Sequence, residues 1–137
     1  MKLIYEMQYN FVILHPKNQR NKMQDINFDN IHKFGSLIAQ AAGIAIVTHM
    51  RPDGDAMGSC TAMYHFLSML GKKEHKIIIP DPYPAYLDFI TSEIPAGAIC
   101  AHSTDKAEAE SALAQSDLII CLDFNAFHRT DKLEDAL

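Results

Sequence analysis

The sequence predicts an α/β fold, a doubly wound and mainly parallel sheet with flanking helices, and three observations lead there. From residue 29 onward, segments with helical spacing of apolar residues alternate with short apolar runs, the pattern of βαβ units. The runs Ile44 to Thr48, Ile77-Ile78-Ile79 and Leu118 to Leu122 are continuous and rich in β-branched residues, as in strands covered on both faces. The polar residues most suited to chemistry, His49, Asp53, Asp55 and Asp123, follow two of those runs, and ligands of doubly wound sheets bind beyond the carboxyl ends of strands. A length of 137 residues with 48% apolar residues suits one domain with one core.

Residues 1–22 show no sustained period and precede a second methionine, Met23. A disordered leader and a start codon placed upstream of the true one both fit that stretch, and 23–137 reads as the domain. From Asp29, Ile31, Phe34, Leu37, Ile38 and Ala41 share one helical face, with Gly43 as the stop. The strand Ile44 to Thr48 is followed by a loop over 49–56. A helix then runs to Leu70 with Cys60, Met63, Tyr64, Leu67 and Leu70 as its inner stripe, ended by Gly71.

A second strand spans Lys76 to Pro80, and Pro80, Pro82 and Pro84 impose a turn. A short helix over 85–90 and a strand over 98–101 come next. Asp105 starts a helix with Glu108 at capping-box spacing, Asp117 to Asp123 is the last strand, and Thr130 is placed to cap a helix reaching Leu137. There is no internal repeat and no low-complexity tract.

Formal charge is -5 overall, but 1–22 carries four basic residues and one acid, so 23–137 carries 8 basic and 16 acidic groups, or -8. An acidic body does not attract a phosphate backbone unaided, so duplex DNA is not an expected partner and a nucleotide would need metal ions or a local basic patch. Cys60, Cys100 and Cys121 lack Cys-x-x-Cys spacing and sit among apolar neighbours, reading as reduced, packed thiols of a cytoplasmic protein. No apolar run approaches the ~18 residues of a membrane span, and no secretory signal is legible.

The segment Thr48-His49-Met50-Arg51-Pro52-Asp53-Gly54-Asp55-Ala56-Met57-Gly58-Ser59 places one imidazole and two carboxylates within seven residues. Carboxylates that close repel, and each needs a proton, a base or a cation to neutralise it. Carboxylate oxygen suits Mg2+ or Mn2+, and an added imidazole tilts the set toward Mn2+, Fe2+ or Co2+. Several carboxylates and a histidine can hold two ions, and such a pair clamps a phosphoryl group and lowers the pKa of a water, so phosphoryl hydrolysis is the natural reaction. Gly58-Ser59 at the following helix start offers amides to an anion. Pro-Asp-Gly-Asp is also a good surface turn, and Asp123 also fits a cap or turn at a strand end. The sequence lacks Gly-x-Gly-x-x-Gly and Gly-x-x-x-x-Gly-Lys-Ser/Thr, so dinucleotide binding and P-loop hydrolysis lack their phosphate cradle.

Thr48 to Ser59 resembles the first motif of the DHH phosphoesterase superfamily, and Pro-Asp-Gly-Asp-Ala-x-Gly-Ser is similar to its oligoribonuclease and pAp phosphatase (nanoRNase) branch. The manganese pyrophosphatase branch typically has Thr between the aspartates, and the single-strand exonuclease branch spaces its acids differently. Leu122-Asp123-Phe124-Asn125-Ala126-Phe127-His128-Arg129 resembles the second motif, an aspartate at a strand end with an arginine six residues on.

The resemblance implies a two-metal hydrolase using Mn2+, with Mg2+ or Co2+ as substitutes. His49 and Asp53 would bind one ion, Asp55 the other, and Asp123 both; Asp53, Asp55 and Asp123 would thus be catalytic. Arg129, His128 and Ser59 are the substrate-binding candidates, and Arg129 equally fits a helix-start salt bridge. Substrates would be short RNA oligomers or pAp, with exopolyphosphatase or pyrophosphatase activity as the alternatives within the superfamily and a homodimer as the full-length form. The family continues into an Asp-His-His motif, a further aspartate and a C-terminal domain, whereas this chain has no His-His pair and stops 14 residues after Asp123. The expectation is therefore an incomplete DHH N-terminal domain, inactive alone; a lobe that only binds metal or nucleotide is the non-enzymatic rival.

Overall fold

A computed structural model describes residues 3–6 and 28–137, and it is an α/β fold built on a parallel sheet. In chain order the elements are β1 (Leu3–Glu6), α1 (Phe28–Gln40), β2 (Gly43–Val47), α2 (Gly54–Met69) and β3 (Glu74–Ile79). A turn of 3-10 helix (Ala85–Leu87) then leads into α3 (Asp88–Thr91), followed by β4 (Ile99–Ala101), α4 (Lys106–Gln115) and β5 (Leu118–Cys121). The last stretch is a run of 3-10 turns over Phe127–Ala136. The five strands lie in the order β1-β5-β2-β3-β4, every neighbouring pair parallel. Strand β1 lies within the stretch read as a leader, and residues 1–2 and 7–27 are outside the described ones.

Alternate residues of β2, β3, β4 and β5 enter two different cores. Ile44, Ile46, Ile77, Ile79, Leu118 and Ile120 pack with Ile38 of α1 and with Met57, Cys60, Tyr64 and Leu67 of α2. Ala45, Val47, Ile78, Ile119 and Cys121 face the other way, against Ala109 and Leu113 of α4 and Leu133 beyond β5. Both faces are therefore covered, which is why the strands read as unbroken apolar runs. The chain leaves β2 toward one face and β5 toward the other, and these strands are neighbours. The crevice at their carboxyl ends is the topological switch point of the sheet.

Several local signals act as read. Asp105 caps α4 through Oδ1, accepting from the Glu108 amide at 3.1 Å. Gly71, at φ 79°, closes α2 in a Schellman arrangement, with Gly71 N donating to Ser68 O at 2.9 Å and Lys72 N to Leu67 O at 3.0 Å.

Others differ. Glu108 does not complete the capping box; its carboxylate pairs with Lys76 of β3. Leu70 points outward at 53% exposure because the inner face of α2 is set by Ala56, Met57, Cys60, Thr61, Tyr64 and Leu67, and the helix stops one residue before Leu70. Thr130 caps no α-helix: it is fully buried, its hydroxyl donates to Phe127 O at 2.7 Å, and Asp131 at φ 50° breaks the run behind it.

Gly43 is more than a helix stop. A Cβ there would lie 2.8 Å from the Gln115 carbonyl oxygen, so glycine is what lets the start of β2 approach the end of α4. Asp117 fastens the same corner. Its two carboxylate oxygens each accept at 3.0 Å, from Ala42 N and Gly43 N, and these bonds, Ala42's foremost, hold its carboxyl below the ordinary range.

Candidate metal centre

Beyond Val47 the chain runs through Thr48 and His49, both buried, before turning sharply at Arg51, where φ is 50°. Beyond Cys121 it reaches Asp123, which also adopts the left-handed region at φ 64°. Such a backbone costs a non-glycine residue about 1 kcal/mol and survives only where its surroundings hold it. Those restraints are visible. Thr48 Oγ1 donates to Leu122 O at 2.9 Å, Leu122 N to Val47 O at 2.8 Å, and Met50 N to Arg129 O at 2.7 Å. The loops after β2 and β5 are thus laced together directly above the two strands.

The result brings together side chains distant in sequence. His49 Nε2 lies 3.4 Å from Asp123 Oδ2 and 4.0 Å from Asp53 Oδ1. One donor atom from each of His49, Asp53 and Asp123 lies within 4.8 Å of the other two, the only such group of three among the described residues. Asp53 has a second duty that its spacing did not disclose. It is the N-cap of α2, and its Oδ1 accepts from Asp55 N and Ala56 N, each at 3.1 Å. The cap fixes the carboxylate's orientation and leaves its other oxygen uncommitted among these bonds.

His49 is oriented from behind. Its Nδ1 lies 2.8 Å from Met50 O, and a carbonyl can only accept, so Nδ1 carries the proton and Nε2 is the atom turned toward the two carboxylates. Burial pushes the Asp123 carboxyl up, His49 opposes that rise, and the charges of Asp53 and Asp55 add to it. An imidazole nitrogen and two carboxylate oxygens converging with excess negative charge are a donor set that fits a divalent cation.

Asp55 stands outside this group of three. It is exposed in the first turn of α2, and its charge is nonetheless felt at Asp123. Ser59 is exposed further along α2. His128 and Arg129 have exposed side chains, and what ties Arg129 to the centre is its backbone carbonyl. Beneath the site Cys60 is fully buried, and that burial pushes its pKa up to about 12, with Asp123 contributing. All three cysteines are buried, with no disulfide among them.

Two participants were not legible. The Met50 carbonyl orients His49, and Asp81, just past β3, accepts the Arg51 amide through Oδ2 at 3.0 Å. The only hint of Asp81 was its place at a strand end, inside a proline-rich turn.

No helix among the described residues is long and apolar enough to cross a membrane. Residues 43–137 match the family model described as the DHH family, N-terminal domain. The bifunctional oligoribonuclease and PAP phosphatase NrnA of Thermus thermophilus is 42% identical over 50 residues, covering 36% of this chain and 14% of that protein. A crystal structure of an exopolyphosphatase-related protein from Bacteroides fragilis aligns with a TM-score of 0.72 and 32% identity, over 84% of this chain and 33% of that one. The chain thus spans a third or less of the length of these two relatives.

Proposed function

The chain belongs to the DHH family, and from that premise we propose that it is the N-terminal part of a Mn2+-dependent phosphoesterase acting on short oligoribonucleotides, on the 3'-phosphate of pAp, or on both. The observation that carries this reading is the convergence of His49, Asp53 and Asp123 at the switch point of the sheet. The similarity to NrnA, whose name records both activities, supports the choice of substrates.

In this reading His49 and Asp53 hold one cation, Asp55 contributes to a second, and Asp123 serves both. Bound cations supply positive charge against the phosphoryl oxygens and lower the pKa of the attacking water. Asp53, fixed as a helix cap, and His49, fixed by its carbonyl, keep their donor atoms in place without reorganisation. Arg129, His128 and Ser59 contact substrate phosphate. The buried thiols, none in a disulfide, fit a cytoplasmic location, and the full-length form is a homodimer. The 137-residue chain has no His-His pair and therefore lacks part of the ligand set of a complete two-metal site.

Titration of the purified chain with MnCl2 tests the reading. One Mn2+ per chain should bind, and His49→Ala or Asp123→Asn should weaken it at least about tenfold. Absence of binding in the wild type overturns it. The chain alone should turn over pAp or a dinucleotide far below the ~10 s-1 of an ordinary enzyme, and a rate near that value contradicts its incompleteness.

A second reading rests on the structural likeness to the exopolyphosphatase-related protein. It predicts that a full-length form prefers polyphosphate or pyrophosphate in the same assay. A chain that binds Mn2+ or nucleotide, but whose full-length form hydrolyses none of the four, would be a non-catalytic lobe.

A further inference from the structure

One peptide unit of the site loop is bound at both poles. The carbonyl of Met50 accepts from His49 Nδ1 at 2.8 Å, and the amide of the same peptide, Arg51 N, donates to Asp81 Oδ2 at 3.0 Å. We propose that Asp81 is a positioning residue for the metal centre, acting on His49 through the Met50–Arg51 peptide. The inference rests on the metal-binding reading above.

The physical argument runs along the chain of contacts. A carboxylate accepting a peptide N–H polarises that peptide and makes its carbonyl a stronger acceptor, since hydrogen bonds in series reinforce one another. A stronger acceptor at Met50 O keeps Nδ1 turned to it as the donor, and so keeps Nε2 turned toward Asp53 and Asp123, where a cation would lie. Metal-binding histidines commonly receive this support from a carboxylate touching the ring directly. Here a peptide stands between the two. The geometry has a further use, because Arg51 sits at φ 50° and the bond from Asp81 secures that conformation. Strand β3 adjoins β2, so Asp81 arrives at the same rim from the neighbouring strand.

The test compares the full chain with Asp81→Ala and Asp81→Ser, which remove the acceptor, and with Asp81→Asn, which keeps a carbonyl oxygen for Arg51 N. Mn2+ affinity should fall about 10- to 100-fold in the two truncations, the range seen when support behind a metal ligand is lost, and recover most of that in Asp81→Asn. The Nδ1–H resonance of His49, read by 1H–15N NMR without metal, should be protected from exchange in the wild type and broadened by exchange in the truncations. Wild-type affinity together with an unchanged Nδ1–H resonance, in whichever truncation folds, overturns the role of Asp81. If the wild type binds no Mn2+, the metal reading fails instead, and the Nδ1–H comparison still decides whether Asp81 orients His49.

Discussion

His49 Nε2 and Asp123 Oδ2 lie 3.4 Å apart, one buried at the end of β2 and the other in a left-handed turn after β5. The contact exists because β2 and β5 are parallel neighbours with Val47 opposite Cys121, so equal extensions beyond the register bring the two side chains face to face. A site of this kind is set by sheet topology first and by side-chain choice second.

Asp123 is held in a state that costs the fold stability at neutral pH. Burial and the charges of Asp53 and Asp55 raise its folded pKa above 3.8. The folded state then holds the proton more tightly than the unfolded chain, so this residue's contribution declines as pH rises from about 3.8 through the folded value, and is least favourable at neutral pH. Asp123→Asn, which tolerates the same left-handed backbone, should raise the Tm of the metal-free chain at pH 7 while abolishing its Mn2+-induced rise. Thermal melts in EDTA and in MnCl2 would show both, and a lower Tm in EDTA would contradict the account.

Gly43→Ala would set a methyl carbon 2.8 Å from the Gln115 carbonyl, backbone against backbone. The end of α4 must shift, at a cost of about 1–3 kcal/mol. Urea denaturation should give a lower midpoint with an unchanged slope, and Asp117→Ala, which frees the same corner from the other side, should act in the same direction.

His75 accepts neither solvent nor a second partner readily. Ser68 gives its hydroxyl proton to Tyr64 O and sits 3.0 Å from His75 Nε2, so Nε2 carries the ring proton, and Nδ1 is buried without a partner among the described residues. Burial accordingly lowers its pKa from 6.5. The unfolded chain takes up the proton first, so stability is full above about 6.5 and is lost as pH falls toward the folded value. His75→Phe should flatten the dependence of the urea midpoint on pH between 7 and 5, and an unchanged slope would remove His75 from the acid response.

The thiols should be silent in the native state. Cys60 is pushed up to about 12, and burial raises Cys100 as well, so neither offers thiolate near neutrality. Ellman's reagent at pH 8 should label none of Cys60, Cys100 and Cys121 until urea unfolds the chain, when all three react. Rapid labelling of the folded protein would show an opening that this packing does not provide.

Much of this was readable from residue order. Unbroken apolar runs gave the two-sided strands because both faces are buried, and Gly71 and Asp105 ended and began helices through backbone conformations specific to their types. His49, Asp53 and Asp123 were legible as a group because ligands of such sheets gather past strand ends. What could not be read is what depends on through-space geometry. Leu70 matched the helical period, yet the Gly71 turn released it to solvent. Asp53 was expected as a metal ligand, and its role as the cap of α2 went unread because its spacing to His49 pointed to a ligand first. Asp81 carried no pattern, because its partner is a backbone amide whose position is fixed by another strand.

The lacing of Thr48 to Leu122 and of Met50 to Arg129 also bears on how the protein is made. Thr48 and Leu122 are separated by 74 residues, a stretch the ribosome takes several seconds to add at ~5–20 residues per second. Throughout that interval a nascent chain presents His49 and Asp53 with no third donor and with the loop above β2 unpinned. On the metal-binding proposal, a cation would be captured firmly only after β5 has emerged and docked, and metal uptake would then report completed synthesis of this sheet.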